Sequence, residues 1–247
     1  MPVYKSPILI LRCQDWSETS QIVHVLAREI GRLRCLAKGS KRGQNPFSGP
    51  LDRWTLGDAV FSQADPNRLA TLMELYETER FDGIRRRLPA FYGASCITEI
   101  ILTIVPDLEA QPAVFDLVVD GLRLLAAVEV EACRAVTLTL VWRLLALLGY
   151  VPRLDQCAEC GAAISLESPL NFSSGLGGPV CGNCHPPGRI HHLTAKAAQA
   201  IAFLLSAGWD EVRRVRLTEA TADLIRGLLS ARIEELAGRK LSALRYV

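Results

Sequence analysis

The chain has 247 residues, 49% of them hydrophobic, and a formal net charge of +2 from 28 Lys and Arg against 26 Asp and Glu. That composition is ordinary for a folded protein, excludes intrinsic disorder, and at this length suits two modest domains, each with its own core. The apolar start Ile8–Leu11 is only four residues long, with Lys5 and Arg12 beside it, unlike a secretory signal. The most apolar stretch, Val136–Leu148, is cut by Arg143 and falls short of the ~18 apolar residues of a membrane span, so a soluble, cytoplasmic chain without a membrane partner is expected.

In chain order, residues 5–80 read as strands. Ser6–Arg12 is an apolar run ended by the polar turn Gln14–Glu18, and Gln21–Arg28 is rich in β-branched residues. Glu29-Ile30-Gly31 then makes a tight connection to Arg32–Lys38. The segment 39–46 holds Gly, Ser, Asn and Pro and reads as a loop, and two longer candidates, Leu51–Gln63 and Leu69–Arg80, flank a turn at Asp65-Pro66-Asn67. Five strands with one sizeable loop in about 75 residues predict a small closed barrel such as an OB-fold, although an SH3-like barrel has similar size. From about residue 83 the period becomes helical. Val114, Leu117, Val118, Leu122 and Leu125 recur at helical spacing, and Ala132–Leu148 is apolar nearly all round, as in a helix at the centre of a bundle. Thr194–Ala207 and Thr218–Ala237 are two further helices, with Gly208 and Gly238 as terminators. The stretch at about 150–190 is rich in Gly, Pro and Ser and interrupts the helices like an insert.

Eight cysteines are unevenly used. Cys13, Cys35, Cys96 and Cys133 sit singly among apolar residues and read as buried reduced thiols. Cys157-x-x-Cys160 and, after twenty residues, Cys181-x-x-Cys184 have the spacing of a zinc ribbon, in which four thiolates complete a tetrahedral Zn2+ and leave no position for water or substrate. Structural zinc is therefore the expectation, with a redox dithiol pair or an iron–sulfur cluster as the other readings of the same four residues. His185, His191 and His192 lie near the cluster, and their simplest reading is exposed polar residues. No Walker A loop, G-x-S-x-G elbow or H-E-x-x-H pair occurs, and the expectation is a chain that is not an enzyme.

Charge is concentrated at the ends: residues 1–60 carry nine Lys and Arg against five Asp and Glu, and residues 193–247 nine against six. Arg32 and Arg34 alternate with Leu33 and Cys35, so both guanidinium groups leave one face of a strand while the apolar pair points inward. Lys38, Lys41 and Arg42 follow in the loop. Five cations within eleven residues suit a track of phosphates, and equally a solvated barrel face. Trp16, Phe47 and Trp54 lie nearby as stacking candidates, with core packing the expected use for at least two. Arg85-Arg86-Arg87 is a second basic run.

Three segments resemble the RecO family of bacterial recombination mediators: Glu18-Thr-Ser20 with Ile22-Val23, Gly31 and Ala37–Arg42; Gly149–Leu154 running into Cys157-x-x-Cys160-Gly161; and Phe172, Gly177-Gly178 and Cys181-x-x-Cys184. The resemblance implies an α+β chain: an N-terminal five-stranded OB-fold barrel that binds nucleic acid (residues 1–80), followed by an α-helical domain (81–247) carrying the four-cysteine zinc-ribbon insert. It further implies a non-enzymatic mediator of DNA repair, working in the cytoplasm on the bacterial nucleoid. Such proteins bind single- and double-stranded DNA, anneal complementary strands, and work with RecR to load RecA onto strands coated by the single-stranded DNA-binding protein, whose C-terminal tail they receive. On this reading Arg32, Arg34, Lys38, Lys41 and Arg42 contact phosphates, and Cys157, Cys160, Cys181 and Cys184 hold Zn2+ as scaffold. The alternative is a zinc-ribbon adaptor of transcription or translation that binds RNA or protein.

Overall fold

Alternation of apolar and polar side chains along the first 80 residues is resolved by closing them into a barrel. The structure, a computed structural model, describes every residue except Met1, Ser48, Ala64, Pro66, Asn67, Pro152 and Pro187. Pro66 and Asn67 of the turn expected at Asp65-Pro66-Asn67, and the proline of the Gly149–Leu154 segment, thus lie outside the described residues. Five strands, β1 (Val3–Asp15), β2 (Gln21–Ala27), β3 (Gly31–Ala37), β4 (Leu56–Ser62) and β5 (Ala70–Glu79), close in the order β1-β2-β3-β5-β4. The long β1 serves two neighbours: residues from Val3 to Leu9 pair with β4 and those from Ile8 to Asp15 with β2. A parallel contact of β3 with β5, through Cys35 and Ala70, seals the barrel. This is the five-stranded OB-type barrel expected. Ile8, Ile10, Val23, Val25, Leu33, Cys35, Phe61 and Leu72 fill its interior, where a fully buried side chain of this size contributes about 1.5–3 kcal/mol.

Two strand ends differ from expectation for local reasons. β1 continues through Gln14 and Asp15, which still pair with Ile22 and Gln21. β4 begins at Leu56 and not at Leu51, because Trp54 takes a left-handed φ of 56° while Leu51 and Phe47 turn inward to plug the barrel.

The chain forms two compact units: Met1–Asp82 with Val105–Val119, and Gly83–Ile104 with Asp120–Val247. In the first unit, residues 105–119 strap the turn between β2 and β3. Leu108 donates its N–H to the Arg32 carbonyl at 2.9 Å, and Arg28 makes a two-pronged contact with Asp116 at 2.9 and 2.8 Å. Gly31 is required there: its φ is +89° and a Cβ would run into the Glu109 backbone.

The helices are α1 (Asp82–Arg85), α2 (Leu88–Ile104), α3 (Pro112–Ala127) and α4 (Val130–Leu147). A small antiparallel sheet of β6 (Leu170–Ser173), β7 (Gly178–Val180) and β8 (Ile190–Leu193), in the order β7-β6-β8, forms the insert. After it come α5 (Ala195–Ser206), α6 (Trp209–Val212), α7 (Glu219–Ala237) and a final 3-10 turn, Ala243–Tyr246. In the second unit α4 is the central helix, with Trp142, Leu138 and Val141 fully buried, and it packs on α2, α5, α6 and α7. Thr194 and Thr218 cap α5 and α7 by accepting from Ala197 and Thr221 N–H groups. Gly238 closes α7 in the left-handed conformation. Gly208 does not end α5; it starts α6, its N–H donating to the Glu211 carboxylate at 2.7 Å.

Replacing Gly31 by Ala should destabilise the chain by about 3 kcal/mol or more in urea unfolding, from combined strain and overlap. Gly43→Ala, where a Cβ would meet nothing within 4 Å, should shift stability by less than about 0.5 kcal/mol.

Candidate functional site

On β3 the side chains separate as the alternation demands. Leu33 and Cys35 are buried in the barrel core, and Arg32 and Arg34 leave by the outer face, with Arg34 exposed. Across the sheet His24 pairs directly with Arg34, and Arg12 with His24. Arg12, His24 and Arg34 therefore form one row over three strands. Arg12 reaches this face because of a β-bulge. Register shifts between Ile10 and Arg12, so Leu11 is an extra residue and parity is reset. Without it Arg12 would follow Ile8 and Ile10 into the core. The Arg12 guanidinium also faces the Gln14 side-chain amide. His24 is half-buried, and its imidazole is held below its ordinary value, first by burial and then by Arg12, Arg34 and Arg32, with Asp107 opposing.

The five cations expected to contact phosphate do not share one state. Arg34, Lys38 and Arg42 are exposed and make no ion pair among the described residues. Arg32 is only 17% exposed and engages Asp107, Nε to Oδ1, at 2.6 Å. Lys41 Nζ engages Asp15 at 2.8 Å. The turn bearing Lys38, Lys41 and Arg42 is fixed from below. Buried Ser40 donates to Gln21 Oε1 at 3.0 Å, and Gln21 is held in turn by both backbone groups of Leu51. Gly39 N–H donates to Ser20 Oγ at 3.1 Å and Lys41 N–H to the Thr19 carbonyl at 3.1 Å, so this turn and the β1–β2 loop form one end of the barrel. Trp16, in that loop, is 64% exposed, while Phe47 and Trp54 are 1% exposed. Of the three aromatics near the cations in sequence, Trp16 alone is exposed.

Arg87 of the second basic run has a structural task. It donates to the carbonyls of Leu125, at 2.9 Å, and of Val128, satisfying the C-terminal end of α3.

The four cysteines of the insert meet at one point, all four Sγ atoms lying within 4.8 Å of one another. The first pair sits on a turn closed by Cys157 N–H to the Ala162 carbonyl at 2.7 Å and Gly161 N–H to the Cys157 carbonyl at 2.9 Å, with Gly161 at φ +75°. Cys181 follows β7 directly. The Cys160 and Cys181 sulfurs are 3.7 Å apart, too far for a disulfide of about 2.05 Å. This distance suits the edge of a tetrahedron, about 3.8 Å for metal–sulfur bonds of about 2.3 Å. Desolvation pushes the Cys157 thiol up and backbone N–H groups of Cys160, Cys181 and Glu159 bring it down to about 6, while hydrogen bonds with Cys160 and Cys181 push the Cys184 thiol up; a metal ion binds the thiolate form of each. These residues can hold one metal ion. No histidine belongs to the group, and His192 Nδ1 lies 2.7 Å from Asn171 Oδ1. Of the single cysteines expected to be buried, Cys35, Cys96 and Cys133 are, and burial pushes their thiols up, Cys35 to about 12; Cys13, at the edge of the barrel core, is only partly buried.

Two contacts explain the other residues of the insert's pattern. Phe172 packs edge-on against Trp142 of α4, ring centroids 6.2 Å apart. Arg232 of α7, 8% exposed, donates to the carbonyls of Ser174 (3.0 Å), Gly175 (2.7 Å) and Tyr150 (3.2 Å). Gly177 leaves space for that guanidinium, since a Cβ would lie 2.6 Å from its carbon.

Replacing Cys157 and Cys160 by Ser should abolish binding of one equivalent of metal, measured on the purified protein, and lower the melting temperature. Stripping the wild type with a chelator should lower it similarly.

Comparison with known proteins places the chain among recombination proteins. The family model described as Recombination protein O N terminal matches residues 1–78, and that described as Recombination protein O C terminal matches residues 85–245. The chain is similar to the DNA repair protein RecO of Anaeromyxobacter dehalogenans, 30% identical over 242 residues that cover 97% of this chain and 93% of the relative. It is likewise similar to the DNA repair protein RecO of Streptomyces griseus, 30% identical over 259 residues (100% and 99%). With that of Pelotomaculum thermopropionicum it shares 34% identity over 185 residues (74% and 69%).

Proposed function

We propose a specific role for this chain, which belongs to the RecO family of DNA repair proteins: it is a non-enzymatic mediator that binds DNA on its barrel, anneals complementary strands and assists RecR in loading RecA onto strands coated by the single-stranded DNA-binding protein. The observation that carries this reading is the set Arg34, Lys38 and Arg42, exposed and without an ion pair among the described residues, with Trp16 exposed in the β1–β2 loop that contacts the same turn. A cationic strip with a stacking face suits single strands without sequence preference. Annealing requires no catalytic group, because cations lower the repulsion between two phosphate backbones and base pairing drives the product.

Arg32 and Lys41 join the phosphate path as secondary members, their charge shared with Asp107 and Asp15. Residues 1–80 act as the DNA-binding domain and 81–247 as the helical one. The ion at Cys157, Cys160, Cys181 and Cys184 is Zn2+, and it acts as scaffold, since four thiolates leave no open coordination position. For the acidic, apolar tail of the single-stranded DNA-binding protein, the second unit offers a groove of about 420 Å³ lined by Lys240, Leu241, Leu244 and Arg245, with Arg226 held there by Asp223 at 2.7 Å. Membership of a DNA repair family favours a cytoplasmic protein acting at the nucleoid; among the described residues no helix is long and apolar enough to cross a membrane.

The test is annealing of two complementary strands precoated with single-stranded DNA-binding protein. Wild type should anneal them, and Arg34→Ala/Lys38→Ala/Arg42→Ala should lower DNA affinity about tenfold and reduce the salt slope by about 2, at roughly 0.7 per lost phosphate contact, with fold and metal content unchanged. Annealing by the triple variant at the wild-type rate would move the DNA path off this strip. Failure of the wild type at any salt concentration would sink the mediator role and favour an adaptor of transcription or translation.

A further inference from the structure

We propose that Arg12, His24 and Arg34 form a phosphate-binding row across β1, β2 and β3, and that His24 takes up a proton when a phosphodiester of the DNA seats on it. The inference rests on the DNA-binding role above and adds to it a path across the strands and a dependence on pH.

The geometry follows from the register. Arg12 opposes His24, and His24 opposes Arg34, so three side chains stand in line over two strand spacings, about 10 Å. Arg12 and Arg34 are exposed and His24 is half-buried between them. The groups facing His24 are Arg12 on β1, Arg34 and Arg32 on β3, and Asp107 on the strap. Asp107 is already engaged by Arg32 at 2.6 Å, and among the described residues no carboxylate pairs with Arg12, His24 or Arg34. Like charges flank a titratable ring, an arrangement unfavourable to that ring's protonation until an anion arrives. Nothing in the core requires His24, whose outward position a neutral polar residue could fill.

In the free protein His24 sits below its ordinary value of 6.5, first through burial and then through the three arginines, and is neutral at pH 7. A phosphodiester lying between Arg12 and Arg34 offsets their repulsion and accepts a hydrogen bond from the imidazolium, which favours the charged ring. A group whose pKa is raised by binding adds affinity at low pH, and that affinity is lost as pH rises through the value in the complex. The gain is about tenfold in affinity for each unit by which phosphate raises it.

The experiment measures binding of oligothymidylate, whose bases do not titrate in this range, by fluorescence anisotropy between about pH 8 and about pH 5.5. Wild type should bind about three- to tenfold more tightly at the acid end, while His24→Gln, which keeps His185, His191 and His192, should change by less than about twofold. In wild type alone, the salt slope should steepen by about 0.7 at the acid end, one more phosphate contact; this reading does not depend on how the variant folds. An unchanged wild-type salt slope, or a Gln variant that keeps the wild-type pH response, would overturn the row while leaving DNA binding intact. A wild type that binds no oligothymidylate at any pH or salt would overturn the DNA-binding role, and the row with it.

Discussion

A strand residue in a closed barrel has two destinations, the packed interior or the outer face, and successive residues must alternate between them. Here that constraint decides where charge can stand. Leu33 and Cys35 inside oblige Arg32 and Arg34 to be outside. On β1 the same rule would bury Arg12 behind Ile8 and Ile10, and an isolated buried guanidinium costs too much to persist. The bulge at Leu11 resolves the conflict by resetting parity within the strand, and it creates the row with His24 and Arg34. The barrel's packing and its cationic surface are thus one solution.

The second unit uses arginines differently. Arg87 and Arg143 donate to carbonyls at the ends of α3 and α5, and Arg232 to those of the insert. Burial lowers the affinity of Arg143 and Arg232 for their protons, yet guanidinium stays charged throughout the physiological range. Each holds several carbonyls that would otherwise be unsatisfied. A count of basic residues therefore overstates the basic surface of this unit. The four-cysteine cluster and Arg232 are complementary: the cysteines converge at one point of the insert, and Arg232 with Phe172 fastens it to α7 and α4.

Much of this was legible in the residues themselves. Strand spacing, the two cysteine pairs, the threonine caps and Gly238 are local signals with local causes. Contacts distant in sequence were not legible. The pairing of Arg32 with Asp107 joins residues on separate elements, and the strap of residues 105–119 carries no pattern that assigns it to the barrel unit. Trp16, Phe47 and Trp54 look alike in sequence, and tertiary packing alone buries two and exposes one. α2 is apolar along most of its length, and without a distinct polar face its limits had no periodic signature. For Arg12 a signal existed: a cation in phase with two core isoleucines calls for a bulge. Gly31 likewise marks a close approach, but which backbone approaches, that of Glu109, needed the structure.

The central claim is that DNA crosses the outer face of β1–β3 at the end formed by the β1–β2 loop and the turn after β3. Amide hydrogen exchange with and without single-stranded DNA addresses it most directly, because it reads the loops without altering any residue. Slowed exchange in residues 16–20 and 38–43 on DNA binding is the predicted result. Slowing confined to the helical unit, with these two loops unchanged, would contradict it.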